Sequence, residues 1–401
     1  MAEQTQEQTQ ELSEQIEESL TNRRDDSNVY IASQWQLMWW RLRRHKLAMA
    51  SLIVLAGFYF ISAFAEFFAY THPLWADADI AEIPIQQVQW FDGLKFDPYV
   101  NPITSERSIA TNFLRVYTKD ESVKIRLNWF GQTPQPEGYV AGDYWGYEYN
   151  FLGFIPTTRH YLAPDVAYAD SPVMYWLGTD ELGRDLWSRL MLATRVSMSI
   201  GLIAVAISII LGVVLGGISG FYGGWTDNII QRIVEVLRSV PTIPLWMGLA
   251  AAVPRDWSVV KMYFAVTVII SLLGWTTLCR EVRGRFLSLR EEDFVMAAEL
   301  AGASRMRIII RHMVPSFSSH IIAAVTLSIP FIIIAETSLS YLGLGMREPG
   351  ISWGTLLYQA QNITSVATRP WMLLPGVAVI VAVLAFNFLG DGLRDAADPY
   401  G

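Results

Sequence analysis

The chain is short of charge and has almost no cysteine. Only 17% of its 401 residues are Asp, Glu, Lys or Arg, against about 25% in an average soluble domain. A single cysteine, Cys279, lies in an apolar run. That excludes an internal disulfide and a cysteine-cluster metal site, and leaves the role of a small buried apolar residue. The histidines His45, His72, His160, His312 and His320 show no paired ligand spacing, so no metal site is expected. A phosphate-binding loop is missing too. Gly212, Gly216, Gly217 and Gly220 sit in an apolar stretch without the lysine that such a loop needs. They read better as points of close helix packing. No nucleophile–base arrangement is visible, and neither an enzyme nor a nucleic-acid binder is expected.

What is abundant is apolar sequence: 52% of residues are hydrophobic, gathered into runs too long for ordinary core helices. The expected fold class is an all-α polytopic membrane protein with six spans. The runs are 47–68, 196–221, 229–253 (interrupted by Pro241 and Pro244), 262–279, 320–344 (with Pro330 inside) and 371–389. Each is of the order needed to cross about 30 Å of hydrocarbon. Before the first run, Trp35, Trp39 and Trp40 with Arg41, Arg43, Arg44 and Lys46 predict an interfacial helix held on the cytoplasmic side. The Gln/Glu/Thr-rich stretch 1–29 cannot bury a core and reads as a disordered acidic tail. It has no basic start followed by an apolar run, so it is not a cleaved signal peptide.

The chain therefore divides into the tail 1–29, the interfacial helix and first span 30–70, an extracytoplasmic region 71–175, and a core 176–401. Region 71–175 is rich in proline and aromatics and has no spanning run. It predicts a small mixed β and irregular insertion, with a hairpin turning at Asp92-Gly93 between Trp90 and Phe96. Charge asymmetry sets the orientation. Arg280, Arg283, Arg285, Arg290, Arg305, Arg307 and Arg311 crowd the stretch between the fourth and fifth runs, which predicts that 280–315 and both termini are cytoplasmic.

Segment 291–315 is the most informative. Gly302 is suited to end one short helix in a left-handed conformation. Ser304 is suited to cap the next. Met306, Ile309, Ile310 and Met313 recur at helical spacing as an apolar face, and Pro315 closes the segment before the next span. The small pair Ala297-Ala298 suits a helix that docks closely on another surface, although an ordinary loop helix joining two spans has the same ingredients.

This segment resembles the coupling motif of ABC importer permeases, Glu-Ala-Ala, three residues, Gly, nine residues, Ile-x-Leu-Pro. Ala297, Ala298, Gly302 and Pro315 fall on matching positions, while Met296, His312 and Val314 depart from it. The departures are similar to the oligopeptide/dipeptide branch. Trp39–Ala48, Leu177–Asp185, Leu339–Gly345, Ile351–Gly354 and Asn387–Asp395 resemble further parts of its C-type permease subunit. The resemblance covers most of 35–70 and 175–401 and leaves the first loop unexplained.

The resemblance implies a non-catalytic subunit in a prokaryotic cytoplasmic (inner) membrane. Its partners would be a second homologous permease subunit, two ATP-binding subunits that hold ATP and Mg, an extracytoplasmic substrate-binding protein, and the lipid bilayer. No cofactor would be bound by this chain. Coupling to the ATPases would use Asp293, Ala297, Ala298, Glu299, Gly302, Ala303, Ser304, Arg305 and Pro315. The cargo would be peptides. Oligosaccharides moved by the same machinery, and an ATP-independent carrier or channel, are the alternatives. Two further places stand out. Glu336, with Ser338 beside it, is a charge inside the fifth run and a candidate for the translocation path. Asp180, Arg184 and Asp185 have the spacing of a helical surface ion pair and cap.

Overall fold

Secondary structure follows the apolar runs, with instructive differences at their ends. The computed structural model describes residues 34–107, 115–134, 143–165, 174–361 and 363–397. The tail 1–29 lies outside the described residues. Helix α1 (Gln34–Arg44) leaves Trp35, Trp39 and Trp40 exposed, with the Arg43 guanidinium 6.0 Å from the Trp39 ring. At His45 the chain turns into α2 (Lys46–Ala63). The His45 Nδ1 accepts a hydrogen bond from Ala48 N at 3.1 Å, satisfying one of the free N–H groups of the first turn.

The remaining main helices are α3 (Leu186–Tyr222), α4 (Gly224–Ser239), α5 (Thr242–Ala251), α6 (Val259–Leu289), α7 (Asp293–Leu300), α8 (Arg305–Ile308), α9 (Ser318–Tyr341), α10 (Trp353–Gln359) and α11 (Leu374–Ala397). Among the described residues five helices are long and apolar enough to cross a membrane, and α4 with α5, bent by 86° at their junction, has the apolar length of a sixth, as a broken span or a re-entrant loop. Pro241 accounts for the bend. It holds Val240 extended at φ −88°, ψ 131° and ends α4 there. Pro330, by contrast, lies within α9 without interrupting it.

Two spans overrun their apolar runs. Helix α3 starts at Leu186 rather than near 196, and at 37 residues is about 55 Å long. Helix α6 continues past Cys279 to Leu289, carrying Arg280, Arg283 and Arg285 with it. Hydropathy marks only the stretch inside hydrocarbon, whereas helical hydrogen bonding continues into water.

Helices α3 and α6 meet along the expected glycines. A Cβ at Gly216 would lie 2.5 Å from the Cys279 carbonyl oxygen, and one at Gly220 would lie 2.6 Å from the Phe286 Cβ. The backbones are thus closer than any side chain permits. Cys279 is buried in this contact.

Between α2 and α3 the described residues form eight short strands: β1 (Gln89–Asp92), β2 (Lys95–Val100), β3 (Ile103–Arg107), β4 (Arg115–Lys119), β5 (Ile125–Trp129), β6 (Tyr149–Phe151), β7 (Ile155–Thr157) and β8 (Leu162–Pro164). An antiparallel sheet runs β1-β2-β5-β8, and β3-β4 and β6-β7 are separate hairpins. The β1-β2 turn is Gly93-Leu94, flanked by the Asp92–Lys95 pair. Glycine is therefore its first residue, at φ +65°, not its second as the Asp-Gly reading implied.

Val100, Ile125, Leu127 and Leu162 pack with Tyr70 and Met174 beneath the sheet. The insertion is then seated on the end of the first span. Tyr147 hydroxyl donates to Ala69 O at 2.9 Å, Trp187 Nε1 donates to Phe68 O at 2.9 Å, and Thr71 N donates to Ser188 Oγ at 3.1 Å. His160 is buried with Nδ1 2.9 Å from Glu66 O. Burial lowers its pKa to about 4.

Candidate coupling segment and membrane cavity

The segment between α6 and α9 is built by local chemistry. Asp293 places a negative charge in the first turn of α7, where the helix dipole favours it. At the other end Ala303 N donates to Ala298 O at 3.1 Å and Gly302 N donates to Glu299 O at 2.9 Å. With Gly302 at φ +77°, this is a Schellman termination. Ser304 then caps α8, its Oγ accepting from Arg307 N. The break at Gly302 and the cap at Ser304 agree with the sequence reading.

The apolar face does not. Ile308, Ile309 and Met313 are buried, whereas Met306 and Ile310 are exposed. The reason is a π-helical turn over Ile309–Met313, closed by Val314 N donating to Ile309 O. The wider turn shifts the register that a 3.6-residue period assumes. Pro315 follows in a short turn, Val314–Ser316, before Phe317 breaks the helix and α9 begins.

The buried residues join Val295 of α7, Leu278, Val282 and Phe286 of α6, and Phe317 in one apolar cluster, with Ala298 and Ala303 packed against it. Ala298 thus faces the chain's own interior. The outward face of α7 carries Phe294, Ala297 and Leu300, and Leu300 is 90% exposed. Glu299 is exposed too. Arg305 places its guanidinium 5.2 Å from the Tyr222 ring at the end of α3. Nearby, Asp227 of α4 accepts from Arg283 Nε at 2.5 Å and Nη2 at 2.6 Å, and from Ser219 Oγ at 2.5 Å. The segment is thus held at several points: α7 packs on α6 through this cluster, α8 reaches α3 through Arg305, and α4 is tied to α6 through Asp227 and Arg283.

Glu336 is wholly buried in α9. Its carboxylate accepts from Ser197 Oγ of α3 at 3.0 Å and from Ser340 Oγ at 2.8 Å. Each serine passes the connection on, Ser197 Oγ accepting from Trp353 N at 3.1 Å and Ser340 Oγ accepting from Met346 N at 2.9 Å. One carboxylate thus fastens α3, α9 and the start of α10. Ser338 is exposed on another face of α9.

Neither residue lines the cavity walled by α3, α4, α5, α6 and α9. That cavity, of about 490 Å³, opens beside the α4–α5 bend. Its wall includes Ser208, Arg238, Thr242, Thr276 and Ser328 among apolar side chains such as Trp246 and Phe331. Sequence reading passed over these hydroxyls. The only available signal was their recurrence inside spans next to a proline break.

The third candidate set also differs from expectation. Residues 180–185 are not helical, and Asp180, Arg184 and Asp185 are buried rather than on the surface. Asp180 accepts from Leu182 N and Arg184 N at 2.9 Å each, from Arg184 Nε at 2.7 Å, and from Arg189 of α3. Glu348, from the loop after α9, joins the two arginines at 2.9 Å and 3.1 Å. Asp185 caps α3, accepting from Ser188 N at 2.7 Å, and burial raises its pKa to about 6. Gly183 is required here, because a Cβ would lie 1.9 Å from the Asp77 carbonyl oxygen at φ +79°.

These features define a polytopic helical membrane protein with a β-rich insertion and a helical segment keyed to several spans. Residues 208–400 match the family described as binding-protein-dependent transport system inner membrane component. Residues 33–83 match the N-terminal transmembrane domain of oligopeptide transport permease C. The oligopeptide transport system permease protein OppC of Bacillus subtilis is 36% identical over 60% of this chain and 77% of its own length. The dipeptide transport system permease protein DppC of Alkalihalophilus pseudofirmus is 37% identical over 56% and 72%. An inward-facing structure of the MetNI methionine ABC transporter is similar at 19% identity and a TM-score of 0.43, covering 52% of this chain and 96% of that one. The chain belongs to the family of binding-protein-dependent transport permeases, in its oligopeptide and dipeptide permease branch. It is a multi-pass membrane subunit of an ABC importer, not the subunit that hydrolyses ATP.

Proposed function

We propose that this subunit forms half of a path for peptides delivered by an extracytoplasmic binding protein. The names of its relatives support peptide cargo. A second, homologous permease subunit would complete the path, and two ATP-binding subunits would hold ATP and Mg. The cavity beside the α4–α5 bend is the proposed share of the path in this chain. Ser338, exposed on α9, is the proposed contact with the path where the second subunit approaches, and Glu336 holds that helix in place. The proposed orientation puts both termini and 280–315 in the cytoplasm and 71–175 outside.

The observation that carries the coupling role is the outward apolar face of α7, aimed by the Gly302 termination and anchored from behind by Val295 and Ala298. Asp293, Ala297 and Glu299 lie on or beside that face. Ala303, Ser304, Arg305 and Pro315 hold its direction. Closure of the ATP-binding subunits would push this rigid key and rock the spans joined to it, a two-state element biased from a distance. The test replaces Leu300 with Asp, and separately Ala297 with Arg. Both variants should reach the membrane in normal amounts, lose the ATP-binding subunits on purification, and fail to support peptide uptake. Wild-type uptake with full recovery of those subunits in both variants would remove α7 as the coupling element.

A further inference from the structure

The β6-β7 hairpin has a tip that is ill suited to water. From Tyr149 to Thr157 it contains no charged residue. Its connection is Leu152-Gly153-Phe154, with the flanking Phe151–Ile155 pair closing the ladder. Leu152 is 58% exposed and Phe154 72% exposed, and Ile155 is exposed beside them. Leu152 also sits at φ +54°. Turns in water place glycine, asparagine or aspartate at such a position, because their left-handed conformations are less strained. Here a leucine takes the strain and shows its side chain.

The position of the tip explains the choice. Phe151 stacks on Phe64 at 5.4 Å and meets Phe67 edge-on at 5.9 Å. Leu152 and Gly153 share a cleft with Ala63, the last residue of α2, and with Arg195 of α3. The tip therefore lies level with the end of the first span. Two independent features mark that level as the membrane boundary. Helix α2 has 18 residues and is about 27 Å long, close to the roughly 30 Å of a hydrocarbon core. Its far end is flanked by the Trp39, Trp40 and Arg43 belt. Its near end is flanked by Glu66, held by both terminal nitrogens of Arg195.

We propose that the tip of this hairpin, Leu152, Phe154 and Ile155, dips into the lipid headgroup and upper acyl region of the adjacent leaflet, beside α2. The exposed surface of α2, which includes Ile53 and Phe60, is apolar, as a surface facing hydrocarbon must be, and the tip continues it outward. Apolar side chains at this depth are stabilised by removal from water. The hairpin would then act as an outrigger. It sets how high the β-rich insertion stands above the bilayer and resists its tilting.

The test uses the full-length chain with Cys279→Ala, reconstituted in lipid nanodiscs with the subunits that copurify. Spin labels are placed singly at Leu152→Cys, Phe154→Cys and Ile155→Cys. A label at Ile53→Cys in α2 serves as the lipid reference, and one at Glu121→Cys, a highly exposed acidic site on the insertion, as the water reference. Power saturation with oxygen and with a water-soluble nickel chelate then reads depth. At least two of the three tip labels should shift toward the Ile53 reference, with collisions favouring oxygen over nickel. Nickel-dominated collisions like those at Glu121 would place the tip in water and overturn the proposal. Shielding from both reagents would show a protein occupant and overturn it equally. Three separate labels keep the test open if one variant fails to fold.

Discussion

At the scale of single residues, three positions carry sharp expectations. Nothing lies within 4 Å of where a Cβ on Gly302 would sit, and its φ is positive, so a substitution there is limited by backbone strain and not by clash. Gly302→Val should cost about 1 kcal/mol or more and misdirect α7, while Gly302→Asn should largely preserve coupling because asparagine tolerates the conformation. Binding-protein-stimulated ATP hydrolysis, measured for the pair, tests this; equal loss in both variants would point to a contact at Gly302 instead. Glu336→Leu would leave the Ser197 and Ser340 hydroxyls buried without their acceptor. Each such orphan costs about 1–3 kcal/mol, so the melting temperature should fall clearly. Glu336→Gln, which keeps one acceptor, should fall less. His160 gives a pH dependence. Its folded pKa of about 4 lies below the unfolded value of about 6.5. The unfolded chain thus takes up the proton first as pH falls. Stability should drop between about pH 6.5 and 4, by up to an order of 3 kcal/mol, and level off below. His160→Gln should remove that slope, and melting curves across the range would decide it.

At the scale of elements, the sequence was legible where one physical signal dominated. The glycines of α3 and the apolar runs gave the spans and their close contact. Gly302 and Ser304 gave the break between α7 and α8, because left-handed backbone and side-chain capping are local properties. The buried face of 305–313 was not legible, since a π turn changes the period and depends on what packs against it. The Asp180–Arg184–Arg189–Glu348 cluster was hidden for another reason. Its members come from three places in the chain, and spacing alone could show only the pair four residues apart. The cavity beside the α4–α5 bend required the same long-range knowledge. The α3–α6 contact yields its own prediction. Gly216→Leu cannot be accommodated with the Cys279 carbonyl 2.5 Å from its Cβ, so the two helices must separate. The variant should insert poorly or be degraded, and membrane abundance compared with Gly248→Leu, where nothing lies within 4 Å, measures the difference.

At the scale of the whole molecule, the testable statement is sidedness. Leu94 at the β1-β2 turn is fully exposed and Leu300 on α7 nearly so, and the proposed orientation places them on opposite sides of the bilayer. In a Cys279→Ala background, a membrane-impermeant thiol reagent added to sealed cells should modify Leu94→Cys and spare Leu300→Cys until the membrane is opened. Modification of Leu300→Cys in sealed cells would invert the topology and with it the coupling role of α7.

The seating of the insertion also bears on how the protein is made. Its foundation is not contained within itself. Phe68 and Thr71, at the exit of the first span, are joined to Trp187 and Ser188, at the entrance of the second. During synthesis the eight strands emerge before those last partners exist. The strands can pair, but their seat on the first span stays incompletely clasped until α3 has formed. Maturation on one side of the membrane is thereby made conditional on insertion of the next helix. A ribosome that stalls before residue 187 would leave a complete set of strands without these two ties to the first span.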